Sequence, residues 1–161
     1  MLFRSGQDFT GASTGADFTD HVGHGTHCSG TIAGVMDSNG FTGVAPKAKI
    51  LMGRVCSEEG CSSVAIAQGI NWGITQKVDV ISMSLGGAWS TPGERDAIAK
   101  ADKAGLTVVA ATGNDGTNKV SYPAALPTVI AVGAIDRNLN KADFSQYGPE
   151  VAVTEIGRAH V

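Results

Sequence analysis

Gly23-His24-Gly25-Thr26-His27-Cys28-Ser29-Gly30-Thr31-Ile32-Ala33-Gly34 sets a histidine at the head of a run of small residues. The run reads as a tightly packed helix over about residues 26–36, whose glycines and alanines permit close approach of neighbouring elements. An imidazole at its start, flanked by Gly23 and Gly25, stays accessible and is a candidate catalytic group. Downstream, Asp37-Ser38-Asn39-Gly40 reads as a turn, and Gly43-Val44-Ala45-Pro46 leads into a strand over residues 49–55. Upstream, residues 6–23 are rich in Gly, Thr and Asp with no sustained apolar period, which predicts an irregular surface loop.

Beyond that segment, helical and strand-like patterns alternate. Residues 64–74 carry apolar side chains at helical spacing, and a strand over residues 78–85 follows, bounded by Gly86 and Gly87. A helix over residues 94–104 ends at Gly105, a favourable residue for the left-handed position after a helix. Residues 106–111 and 128–135 are further strand-like runs. Near-continuous apolarity predicts burial on both faces, and alternation with helices predicts a mainly parallel sheet. The fold class expected is α/β, a three-layer α/β/α domain.

The chain has 161 residues, 42% of them hydrophobic and 17% charged, which suits one globular domain with a real core. A net charge of -3 without a Lys/Arg cluster gives no electrostatic reason to expect nucleic acid or an anionic membrane as partner. No uninterrupted apolar stretch is long enough to cross a bilayer. Met1-Leu2-Phe3-Arg4-Ser5 lacks the apolar core and cleavage site of a signal peptide.

The histidine string resembles the motif of subtilisin-like serine proteases, and Cys28 after it resembles the proteinase K branch. The resemblance covers residues 6–154, read as a partial subtilisin-like peptidase domain truncated at both ends. It implies a serine endopeptidase acting through an acyl-enzyme. A serine hydroxyl needs a base to take its proton and a carboxylate to orient that base. The resemblance makes His24 that base. In Ala110-Ala111-Thr112-Gly113-Asn114-Asp115-Gly116 it makes Asn114 the donor that stabilises the oxyanion. Ser84-Leu85-Gly86 resembles the segment that pairs its backbone with an extended substrate, and Ala111-Thr112-Gly113 a wall of the pocket for the residue before the scissile bond. Glu59-Gly60-Cys61-Ser62 falls near the family's opposite cleft edge, with the spacing off by about one residue. Asp37 and the loop through Phe41 resemble part of a structural calcium site, against the alternative of an ordinary polar turn. Tyr122-Pro123 matches a family position with a cis bond, although trans is the default for the sequence by itself.

The family's upstream Asp-Thr-Gly or Asp-Ser-Gly motif and its downstream Gly-Thr-Ser-Met-Ala type motif do not occur in this chain. As written, the chain is therefore expected to be inactive. Residues 1–5 and 155–161 have codon readings that resemble the two orientations of a common sequencing-library adapter, and both tails read as foreign. Alternative functions are a non-catalytic peptide-binding pseudoprotease, or a zinc-binding module using His24, His27 and Cys28.

Cys28 lies four residues after His24, so on a helix the two share a face, and the thiol approaches the imidazole, packs as a small hydrophobe, or does both. Cys56 and Cys61 close a small loop if the protein is exported to an oxidising compartment, and otherwise are two free thiols. By resemblance the protein is secreted, acts on polypeptides, uses no organic cofactor and is monomeric when complete.

Overall fold

The computed structural model describes residues 2–11, 15, 17–37 and 40–157. In chain order the elements are β1 (Leu2–Asp8), α1 (His24–Ala33), β2 (Lys49–Arg54), β3 (Cys56–Ser57), β4 (Gly60–Cys61), α2 (Ser63–Thr75), β5 (Val80–Met83), α3 (Pro92–Lys103), β6 (Thr107–Ala111), β7 (Ile130–Ile135) and β8 (Val151–Ile156). They fall into two compact units, Met1–Ala65 and Ile66–Val161. The hydrogen bonding makes separate sheets, β1-β2, β3-β4 and β5-β6-β7-β8, where the sequence pattern suggested one.

In the first unit β1 runs parallel to β2, with Gly6 opposite Met52 and Asp8 opposite Arg54. Gly6, Gln7 and Asp8 are thus strand, a correction to the loop expected over residues 6–23. These residues lack strand periodicity, and what orders them is pairing with a segment more than forty positions on. Asp8 closes the strand: its buried carboxylate accepts from Thr10 N at 2.9 Å and Thr10 Oγ1 at 2.7 Å, with Arg54 at 3.9 Å.

Helix α1 ends at Ala33, three residues short of the expected boundary. The chain turns back there and meets the helix's last carbonyls: Val44 N donates to Thr31 O at 3.0 Å and Ala45 N to Ile32 O at 2.7 Å. These carbonyls have no partner inside a helix, so the returning segment both satisfies them and stops propagation. Strands β3 and β4 form an antiparallel hairpin with Cys56 opposite Cys61, and a disulfide joins the two.

All neighbours in the four-stranded sheet of the second unit are parallel. Helix α3 is the crossover from β5 to β6 and packs against β6. Its start reads from Thr91, whose hydroxyl accepts from Glu94 N at 3.3 Å, and from Pro92 in the first turn. Its end has Gly105 at φ 80, as the sequence predicted, with Gly105 N on Asp102 O at 2.8 Å and Leu106 N on Ala101 O at 3.0 Å. That pair of bonds is a Schellman closure. Ala97, Ile98 and Ala101 are the buried apolar residues of α3.

Burial on both faces is not what the central strand shows. Val108 and Ala110 of β6 are each 2% exposed, whereas Val109 and Ala111 are half-buried and Thr107 is exposed. One face of β6 is sealed and the other half-covered. Strand β8 is exposed along most of its length, Val153 and Ile156 included.

Candidate active site

His24 is the first residue of α1, which makes the helix two residues longer at its start than expected. The residue before it, Gly23, has φ 88 and no side chain to cap the helix. Asp20 does that work from outside. Its Oδ1 accepts from Val22 N at 3.1 Å and Gly23 N at 2.8 Å, and its Oδ2 from Thr26 N and Thr26 Oγ1, both at 2.7 Å. One carboxylate therefore fixes the turn and the helical N–H of Thr26 beside the imidazole, where negative charge is favoured. Partial burial pushes the Asp20 carboxyl up, but the bonds from Thr26, Gly23 and Val22 outweigh it and hold it down at about 2. The signal was present in the sequence as an aspartate six residues before a threonine, and helix-periodicity reasoning passes over it.

The helix-face argument for Cys28 is met by the geometry. Cys28 Sγ lies 3.9 Å from His24 Nε2, and Cys28 is half-buried. His24 and His27 are both exposed. Among the described residues no group of three or more His, Cys, Asp and Glu side chains comes together to hold a metal ion. The zinc reading of His24, His27 and Cys28 thus lacks a donor set. Asp37 is exposed, and residues 38 and 39 of the same turn lie outside the described residues. The described residues alone do not make the calcium site that the resemblance implies, and no chemical step is assigned to a metal.

The second cluster is built by the parallel sheet. Register places Met83 of β5 opposite Ala110 of β6, and parallel strands carry their carboxyl ends to the same edge. Residues 84–88 and 111–115 therefore leave the sheet side by side, the place where open α/β sheets form ligand crevices. A cavity of about 360 Å³ opens there, within the size range of ligand pockets. Ser84, Leu85, Gly86, Ala111, Gly113 and Asn114 all line it. Thr112 does not: its side chain is 1% exposed, its N–H donates to Val132 O at 3.0 Å, and its carbonyl accepts from Ser121 N at 2.9 Å. Thr112 is structural, because every second residue leaving a strand points into the layer beneath.

The cavity has a far wall that the sequence reading did not identify: Lys119, Val120, Ser121 and Gln146. It is brought up by an antiparallel bridge between Gly87 and Tyr122, with bonds of 2.9 and 2.8 Å, and by Gly116 N on Phe144 O at 2.8 Å. The Tyr122–Pro123 bond is cis, as the resemblance implied and against the default for an isolated sequence. No short-range pattern joins these segments, which are neighbours only once the sheet exists.

Comparison with known proteins accounts for the arrangement. The subtilase family model matches residues 5–158. Subtilisin DY of Bacillus licheniformis is 42% identical over 144 residues, spanning 86% of this chain and 53% of that protein. The major intracellular serine protease of Bacillus subtilis is 40% identical over 161 residues, spanning 94% and 50%. Among solved structures, the psychrophilic subtilisin-like protease Apa1 of the Antarctic psychrotroph Pseudoalteromonas sp. AS-11 superimposes with a TM-score of 0.83 at 35% identity, covering 93% of this chain and 35% of that one. The chain spans about half the length of the curated relatives it matches. With its α/β fold of parallel strands and its histidine-headed helix, the chain belongs to the subtilase family.

Proposed function

We propose that the protein containing this chain is a serine endopeptidase, with His24 as general base and then general acid and Asn114 as oxyanion donor. The nucleophilic serine and the orienting aspartate come from outside these residues. The observation that carries the reading is the cavity at the carboxyl ends of β5 and β6, where Ser84–Gly86 and Gly113–Asn114 line one space. An extended polypeptide laid along Ser84–Gly86 by main-chain bonds presents one side chain to that cavity and its scissile carbonyl to Asn114. Ala111 and Gly113 complete the wall, with Thr112 packed beneath it.

The test is hydrolysis of a peptide anilide by the full-length protein and by its His24→Ala variant. Loss of activity of about a millionfold is the expected result, the size found for the corresponding change in subtilisin, a member of this same family. The isolated chain of 161 residues is expected to show no hydrolysis. A full-length protein that binds peptides without cleaving them reverses the reading in favour of a non-catalytic binder.

Export to an oxidising compartment is supported by the Cys56–Cys61 disulfide. The relatives include both subtilisins and a protease named as intracellular, so direct fractionation of the source cells is the deciding measurement. Among the described residues no helix is long and apolar enough to cross a membrane. A structural calcium ion at Asp37 is carried by resemblance; a calcium-dependent rise in melting temperature that Asp37→Asn removes is its test.

A further inference from the structure

Gln146 is 4% exposed, and none of the roles above uses it. Its carboxamide is engaged at both ends: Oε1 accepts from Ser121 Oγ at 3.1 Å, and Nε2 donates to the carbonyl of Lys119. Its main-chain N–H donates to Gly113 O at 3.1 Å. Gly113 has φ 110, and a Cβ added there would overlap Gln146 Oε1 and stand 2.7 Å from Ser121 Oγ. The carboxamide is therefore pressed against the backbone just before Asn114. One buried side chain thus ties the loop at Gly113 to the segment at Lys119–Ser121, and Gly113, Asn114, Lys119, Val120, Ser121 and Gln146 all line the same space.

A buried amide satisfied at both ends is rigid, because swinging it away leaves polar groups buried without partners. It also carries no charge. The two charged residues of the lining, Asp115 and Lys119, are exposed and of opposite sign. A charged guest side chain must shed water here with no buried counter-charge to meet it.

We propose that Gln146 is a specificity-determining residue: it fixes the depth and neutrality of the cavity and so selects an uncharged side chain immediately before the scissile bond. This rests on the reading of the cavity as a substrate pocket. Gln146→Glu keeps the acceptor for Ser121, loses the donor to Lys119 and places a negative charge inside. Gln146→Met keeps the volume and loses both bonds.

The experiment compares kcat/KM of the full-length wild type and both variants on tetrapeptide anilides that differ only before the scissile bond, with Leu, Phe, Lys or Glu there. Wild type is expected to favour Leu and Phe. Gln146→Glu is expected to raise the Lys-to-Leu ratio about tenfold or more and to lower the Glu-to-Leu ratio. Gln146→Met is expected to shift the Phe-to-Leu ratio about threefold or more with melting temperature recorded alongside, and it decides the matter if the Glu variant does not fold. An active wild type whose ratios move less than about twofold in the folded variants overturns the role of Gln146 and leaves the protease reading intact. A wild type that cleaves none of the anilides overturns both.

Discussion

The turn that presents His24 and the loop that presents Asn114 hold exposed polar side chains on fixed backbones by opposite means. Around His24 the bonds are local: Asp20 gathers Val22, Gly23 and Thr26, all within six residues, in an exposed setting. Around Asn114 they are distant: Thr112 bonds Val132 and Ser121, Gly113 bonds Gln146, and Gly116 bonds Phe144. A local, charged brace fails singly and responds to pH. A distant, neutral brace is shared among many segments, so an intrusion at one point disturbs them together.

The sharpest way to break this contrast is Gly113→Ala. At φ 110 and with Gln146 Oε1 overlapping the added methyl, either the backbone or the buried carboxamide must move. Destabilisation of more than about 3 kcal/mol is expected from urea unfolding, since steric overlap, backbone strain and broken buried bonds add. A loss under about 1 kcal/mol means that the loop is not braced as described.

The local brace is tested by Asp20→Ala, with an expected loss of about 1 kcal/mol at neutral pH, typical of a helix cap. Its pH dependence separates charge from packing. The carboxyl sits at about 2 in the folded protein against 3.8 for a free side chain. A depressed carboxylate contributes fully above its unfolded value, and the contribution fades as pH falls through its folded value. The difference between wild type and variant should therefore be level above about pH 5, shrink below about pH 4 and vanish only near about pH 1. A difference that persists unchanged at pH 2.5 assigns the effect to packing instead.

The smallest change in stability is expected at Cys28. Cys28→Ser should move the unfolding free energy by less than about 1 kcal/mol at this half-buried position. Yet a mercurial on Cys28 should stop turnover by the full-length protein, because Sγ is 3.9 Å from His24 Nε2. The Ser variant should keep its activity and resist the reagent. Labelled enzyme that still turns over removes the thiol from the neighbourhood of the imidazole.

The two regions were unequally legible before the structure. The string from Gly23 to Gly34 carries its helix, its histidine and the Cys28 contact in twelve consecutive residues, because helical spacing alone decides which side chains meet. Asp20 escaped that logic, since it caps from beyond the helix. Resemblance at strand ends points to Ser84–Gly86 and Gly113–Asn114, which line the cavity, and equally to Thr112, which lies beneath it, because a motif does not state which residues turn inward. Gln146 and Ser121 had no signature, being joined to Gly113 by bonds between segments 25 to 33 residues apart, such as Ser121–Gln146 and Gly113–Gln146. The strand at residues 2–8 was hidden for a similar reason, as its order comes from β2 and not from its own alternation.

The uniform direction of β5, β6, β7 and β8 has a consequence in time. Parallel neighbours cannot be joined by a tight hairpin, so Val80 meets Thr107 and Val109 meets Ile130 only after a long intervening segment has been gathered in. Each closure loses chain entropy before its first sheet bond is made, whereas the short β3-β4 hairpin forms from adjacent sequence. This sheet is accordingly expected to assemble slowly and late, with its edges open to other chains throughout that interval, so the speed of crossover closure governs how much newly made protein escapes aggregation.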